Sequence, residues 1–176
     1  MRKIIIFGIG NPGEKYENTR HNIGWKVLDN LCKYFKVGYE TSHLGKVAIA
    51  RYNNVVVYFI KSSNPINSSG ETLKYYSDTL SVDTSDILVI TDDINIKFNS
   101  IRYRDSGSSG GHNGLKDIEK HLDTQLYHRL RIGVSNNFEK GKQVEYVLSE
   151  FSEEEKEKLE NLINIATGDV INWLKI

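Results

Sequence analysis

A run of four large apolar residues, Ile4-Ile5-Ile6-Phe7, delivers the chain into Gly8-Ile9-Gly10-Asn11-Pro12-Gly13, and this junction constrains the fold more than any other stretch. The run reads as a strand from Lys3 to Phe7, buried in a sheet. Gly8, Gly10 and Gly13 permit positive φ and close backbone approach, and Pro12 fixes one φ, so the following turn is tightly specified. It opens a polar stretch carrying Asn11, Tyr16, Arg20, His21 and Asn22. One of these side chains titrates near neutrality and several are fixed hydrogen-bonders, which is the makeup of a site. From there Ile23, Val27, Leu28, Leu31 and Phe35 recur at helical spacing and complete a β-loop-α unit.

Further along, Lys46 to Tyr52 and Val55 to Ile60 predict a hairpin turned by Asn53-Asn54, which brings antiparallel pairs into the sheet. Ser69-Gly70-Glu71-Thr72 opens a helix through about Tyr76, and Ile87 to Ile90 reads as a buried strand ending at Thr91-Asp92-Asp93. Ile101 to Arg104 alternates apolar and basic residues, so Arg102 and Arg104 share a face. A glycine-rich run from Gly107 to Gly114 precedes a helix marked by Leu115, Ile118 and Leu122. Leu130 to Val134 reads as the last strand; past a polar loop, Ser135 to Lys142, Val144 to Leu148 reads as a strand or a helix edge. Ser152-Glu153-Glu154-Glu155 is a capping-box start for an amphipathic helix with the stripe Leu159, Leu162, Ile163, Ala166 and Val170. No linker, repeat or low-complexity tract divides the chain. The expectation is a single α/β domain over residues 1–176, with a mixed, mostly parallel central sheet and helices on both faces.

The 23 basic and 23 acidic residues balance, so no global field marks a nonspecific nucleic-acid binder and any anionic partner must meet a local patch. From Lys97 to Lys142 nine Lys or Arg stand against five Asp or Glu, a local surplus. The single Cys32 excludes an internal disulfide, and no Cys-x-x-Cys or His-x-x-x-His spacing signals structural zinc. The apolar run Ile4 to Phe7 is too short for a signal-peptide core, and nothing approaches the ~18 apolar residues of a membrane span. A cytoplasmic protein with no membrane association is expected.

Three patterns compete for the chemistry. Gly8-Ile9-Gly10-Asn11-Pro12-Gly13 satisfies the dinucleotide-binding pattern, but that turn must run straight into a helix, and here the apolar stripe starts too late. Gly107-Ser108-Ser109-Gly110-Gly111 fits the nucleophile elbow of serine hydrolases, yet of the histidines that follow, His121 ends a helix and His128 begins a strand, and both read as surface or structural residues. His21 and Asp92, with Asn11, Asn22, Asn67 and Asn113, lie in loops after strands or shortly before helices, where open α/β sheets place ligands. A neutral imidazole can take a proton from water, a carboxylate on its other nitrogen fixes the tautomer, and amides bind a peptide backbone or an oxyanion without adding charge. The bland alternatives are a capping histidine and a turn-capping Asp92-Asp93 pair.

The stretch from Gly8 to Gly24 closely resembles the N-terminal signature of bacterial-type peptidyl-tRNA hydrolases. Asn67-Ser68-Ser69-Gly70, Asp92-Asp93, Gly110-Gly111-His112-Asn113-Gly114-Leu115-Lys116, Arg129-Leu130-Arg131-Ile132-Gly133 and Tyr146-Val147-Leu148 resemble later segments of that family, in order. The resemblance implies a metal-independent esterase, without cofactor, that cleaves the ester joining a peptide to the 3′ end of tRNA. It implies His21 as general base and Asp92 as its orienting carboxylate, with Asn113 placing the water or stabilising the intermediate. Asn11 and Asn67 would hold the peptide, Tyr16 the terminal nucleotide region, and Arg102, Arg104 and Arg131 the tRNA phosphate. The expected partner is peptidyl-tRNA and the expected state a monomer. Asn64-Pro65-Ile66 departs from the family's usual Thr-aromatic-Met, Thr91 and Asn95 stand where a His and an Asp are common, and Ser135-Asn136-Asn137 replaces a Gly- and Pro-containing loop.

Overall fold

Alternate residues of the first strand feed two different cores. In the computed structural model, which describes residues 1–175, β1 (Arg2–Gly8) sends Ile4 and Ile6 into one apolar cluster and Ile5 and Phe7 into the other. A strand buried on both faces has no polar face to alternate with, hence the continuous apolar run. The first cluster is covered by α1 (Ile23–Phe35) and α5 (Glu153–Leu174), through Val27, Leu28, Leu31, Leu162, Ala166 and Val170. The second lies under α2 (Ser69–Leu80) and α3 (Asn113–Leu122), through Leu73, Tyr76, Leu115 and Ile118.

The other strands are β2 (Glu40–Ser42), β3 (Gly45–Tyr52), β4 (Val55–Ser62), β5 (Ile87–Asp93), β6 (Ile101–Arg104) and β7 (His128–Gly133), in the spatial order β2-β3-β4-β1-β5-β7-β6. The four inner strands, β4, β1, β5 and β7, are parallel, whereas β2, β3 and β6 run antiparallel to their neighbours. The mixed sheet with helices on both faces is thus as expected; its parallel part is confined to the centre, and its pairings divide evenly, three parallel and three antiparallel. Because β4 lies on one side of β1 and the chain then crosses back to β5 on the other, the sheet has its switch point there, with the carboxyl ends of the inner strands along one edge.

Several boundaries differ from the sequence expectation. The second helix runs on to Leu80, ending in a left-handed Ser81, and Val144 to Leu148 resolves as a short helix, α4 (Gln143–Val147). β2 was invisible in the sequence because all three of its residues are exposed. The hairpin turn and the capping box at Ser152 are both present, with Asn53 at φ 52° and Glu155 Oε1 accepting from the Ser152 N–H.

The glycines after β1 divide their work differently from expectation. Only Gly13 has positive φ. Gly8 and Gly10 are small because α1 packs on them: an added Cβ would meet Leu28 at 2.6 Å and the Trp25 indole at 2.5 Å. Gly24 is tighter, with a Cβ placed 2.5 Å from the Ile90 carbonyl oxygen, backbone that cannot swing aside. Gly24→Ala should therefore destabilise the fold by roughly 1–3 kcal/mol, despite alanine's better helix propensity. Chemical denaturation would show this as a lower midpoint at unchanged slope.

Candidate active site

The loop after β1 is held shut by one side chain. Asn22, buried, accepts from the Asn11 N–H at 2.8 Å and donates to the Asn11 carbonyl at 2.9 Å, pinning the glycine turn to the 3₁₀ turn Arg20–Asn22 that carries His21. The Asn11 side-chain oxygen accepts from the Ile66 N–H at 2.9 Å and ties in the loop after β4. With that oxygen held by Ile66, the amide group of Asn11 is oriented and its hydrogens are left for a ligand.

β5 brings Asp92 up beside this turn. The carboxylate is almost wholly buried and uses one oxygen for each of two imidazoles: His21 Nδ1 lies 2.7 Å from Oδ2, and His112 Nε2 lies 2.8 Å from Oδ1. His112 is the N-cap of α3, and its Nδ1 accepts from the N–H groups of Gly114 and Leu115. That fixes its hydrogen on Nε2, directed at Asp92. For His21 the same carboxylate fixes the hydrogen on Nδ1 and leaves Nε2 as the basic nitrogen. Burial disfavours the imidazolium of His21, but the adjoining Asp92 charge outweighs it and holds the pKa above 6.5. Burial likewise works against the Asp92 carboxylate, yet His21 and then His112 hold its pKa well below the usual carboxylate range.

Asn11, His21, Asn67, Asp92 and Asn113 line one cavity of about 220 Å³. Its amide wall depends on a close helix crossing: a Cβ on Gly70 would lie 2.1 Å from the Asp117 carbonyl oxygen, and the Gly70 N–H donates to the Asp117 carboxylate at 2.8 Å. This contact sets the start of α2, next to Asn67, against α3, which begins at Asn113. The facing wall is apolar and includes Ile94, Val144, Val147 and Leu148. Pro65 and Ile66, from the departing Asn64-Pro65-Ile66 stretch, close the cavity beside Asn67.

The remaining expected residues lie elsewhere. Tyr16 stands on the 3₁₀ turn Glu14–Tyr16 with the Lys15 ammonium 4.9 Å from its ring centre, and does not line the cavity. Arg102 and Arg104 share a face of the edge strand β6, opposite Arg131 and Arg129 of β7. Both are exposed, with no ion pair among the described residues. Arg131 is bound to Asp93 at 2.6 Å. Buried Arg129 stacks 4.0 Å over Tyr127 and donates to the Ser108 and Gln125 carbonyls, supporting the glycine-rich loop.

The competing patterns lose their geometry. Nine residues, two 3₁₀ turns among them, separate Gly13 from α1, so the turn does not run straight into a helix. Ser109 has no base in His112, both of whose nitrogens are occupied. His21, Asp92 and His112 each place a ligand atom within 4.8 Å of the others, a set that could hold a cation, but the two nitrogens already donate to Asp92. His112 is the site residue that the sequence reading missed; its signal was its place next to Asn113 at the start of a helix. No helix among the described residues is long and apolar enough to cross a membrane.

The chain matches known proteins over nearly its whole length. The family model for peptidyl-tRNA hydrolase matches residues 5–175. A peptidyl-tRNA hydrolase of Azobacteroides pseudotrichonymphae is 40% identical over 171 residues, covering 97% of this chain and 92% of its own length. One from Cytophaga hutchinsonii is 38% identical over 174 residues, covering 99% and 93%. The crystal structure of the Acinetobacter baumannii peptidyl-tRNA hydrolase has a TM-score of 0.86 at 25% identity, covering 97% of this chain and 91% of its own. A peptidyl-tRNA hydrolase in complex with N-propanol reaches 0.87 at 28% identity, covering 92% and 83%. With matches of this length in sequence and in backbone, the chain belongs to the peptidyl-tRNA hydrolase family.

Proposed function

We propose that the protein hydrolyses the ester between a peptide and tRNA, with His21 as general base. The observation that carries this reading is the 2.7 Å contact between His21 Nδ1 and buried Asp92 in a cavity walled by amides. His21 Nε2 takes a proton from water as the oxygen attacks the ester carbonyl, and Asp92 stabilises the imidazolium that forms. The imidazolium then returns the proton to the departing ribose oxygen, leaving a tRNA hydroxyl and a peptide carboxylic acid that ionises to solvent. Asn113 places the water or donates to the tetrahedral oxyanion. The free amide hydrogens of Asn11, with Asn67, hold the peptide backbone. His112 occupies the second oxygen of Asp92 and so stops the carboxylate from rotating away from His21.

The tRNA side is assigned to the β6 margin. Arg102 and Arg104 present unpaired guanidinium groups suited to phosphate, and Arg131, held by Asp93, adds fixed positive charge beside the glycine-rich loop. Tyr16, outside the cavity, fits a contact with the terminal nucleotide and not with the reacting carbonyl. We take the working form to be a cytoplasmic monomer that needs no metal.

Cleavage of an N-acetylated aminoacyl-tRNA, little cleavage of the free aminoacyl-tRNA and resistance to chelator are the expected assay results. In the same assay His21→Ala should lose ~10²–10⁴-fold activity; near-normal turnover removes it as base. The raised pKa of His21 means that its inactive, protonated form persists to higher pH. The rising limb of kcat/KM should therefore be centred above 6.5, and Asp92→Asn should move it toward acid while lowering the plateau. A limb that stays in place in that variant would separate Asp92 from the base. Ser109→Ala should remain active and trap no acyl-enzyme.

A further inference from the structure

The residue before the base ties the base's turn to one wall of the cavity from behind. Arg20 and His21 are consecutive in one 3₁₀ turn, and the Arg20 side chain is buried. Its Nη1 donates to the Tyr146 carbonyl at 3.3 Å, Ser149 Oγ at 2.5 Å and the Glu150 carbonyl at 2.8 Å, while Nη2 pairs with Glu155 Oε1 at 2.7 Å. The guanidinium also lies 4.1 Å over the Tyr146 ring. These partners belong to the end of α4, the chain that leads from it and the first turn of α5. α4 itself has five residues and no side-chain N-cap, too little to persist without tertiary anchors. It nevertheless supplies the apolar cavity wall through Val144 and Val147, with Leu148 just beyond it, and Val144 is 68% exposed at the rim.

We propose that Arg20 is a positioning residue that fixes the α4 wall relative to His21, so that the wall selects for an apolar side chain on the residue esterified to tRNA. The inference rests on the hydrolase reading above. A lysine at this position keeps the charge but cannot reach several acceptors with one rigid fork. Glu155→Gln removes the ionic partner alone, because a glutamine oxygen still accepts from the Ser152 N–H and preserves the capping box.

The test compares N-acetyl-phenylalanyl-tRNA with N-acetyl-glycyl-tRNA in the wild type, Arg20→Lys and Glu155→Gln. Both variants should raise KM for the phenylalanyl ester by about tenfold, the scale of a lost apolar contact, with kcat nearly unchanged and the glycyl KM unmoved. A purely structural role would lower the active fraction, seen as an equal fall in kcat for both esters, and would overturn the proposal. Equal KM shifts on both substrates, or no shift in either variant, would also overturn it. If Arg20→Lys does not fold, Glu155→Gln decides by the same criteria. A wild type that cleaves neither ester overturns the hydrolase reading itself, whereas cleavage of both with unselective variants overturns this inference alone.

Discussion

One carboxylate carries the site. Asp92 is charged in the protein interior, where an unpaired ion would cost several kcal/mol, and it is tolerable there because each oxygen meets an imidazole N–H. The two histidines come from opposite halves of the chain, one from the loop after β1 and one from the cap of α3. Satisfying Asp92 therefore requires both halves to be in place, which makes correct folding and assembly of the site the same event. The asymmetry between the histidines also follows. His112 is locked by two backbone N–H groups and can only support, whereas His21 has a second nitrogen to spare.

The sheet topology explains why these groups meet. Parallel inner strands place all their carboxyl ends on one edge, and the reversal around β1 leaves room there for the loops after β1, β4 and β5. The first of these loops brings Asn11 with His21, the second brings Asn67, and the carboxyl end of β5 itself brings Asp92. The arginines belong to the opposite style of structure, an antiparallel margin whose exposed face is free to carry charge. The division between an amide-lined cavity built around Asp92 and a cationic margin follows the division between parallel and antiparallel pairing.

Much of this was legible in the chain. The buried first strand, the hairpin, the amphipathic last helix and its cap announced themselves through periodicity and turn chemistry, because each is a local agreement between pattern and structure. The cavity residues Asn11, His21, Asn67, Asp92 and Asn113 were found by motif resemblance, with spacing adding only that they follow strands or precede helices. His112 escaped because its role depends on Asp92, twenty residues away and invisible as a contact in one dimension. Arg131 looked like its exposed neighbours on β6, yet Asp93 claims it. α4 was ambiguous since five residues cannot show a helical period, and what holds it, Arg20, lies more than a hundred residues upstream.

The crossing of α2 and α3 at Gly70 bears on how this chain can change over generations. Because the methyl group missing from Gly70 is the space that Asp117 fills, the separation between Asn67 and Asn113 is written as an absence rather than as a bond. Drift in the apolar residues of either helix can be absorbed by repacking, but no single replacement at Gly70 can be accommodated without spreading the two amides. The substrate-binding wall is thus open to variation everywhere along the helices that carry it, except at the one position with no side chain.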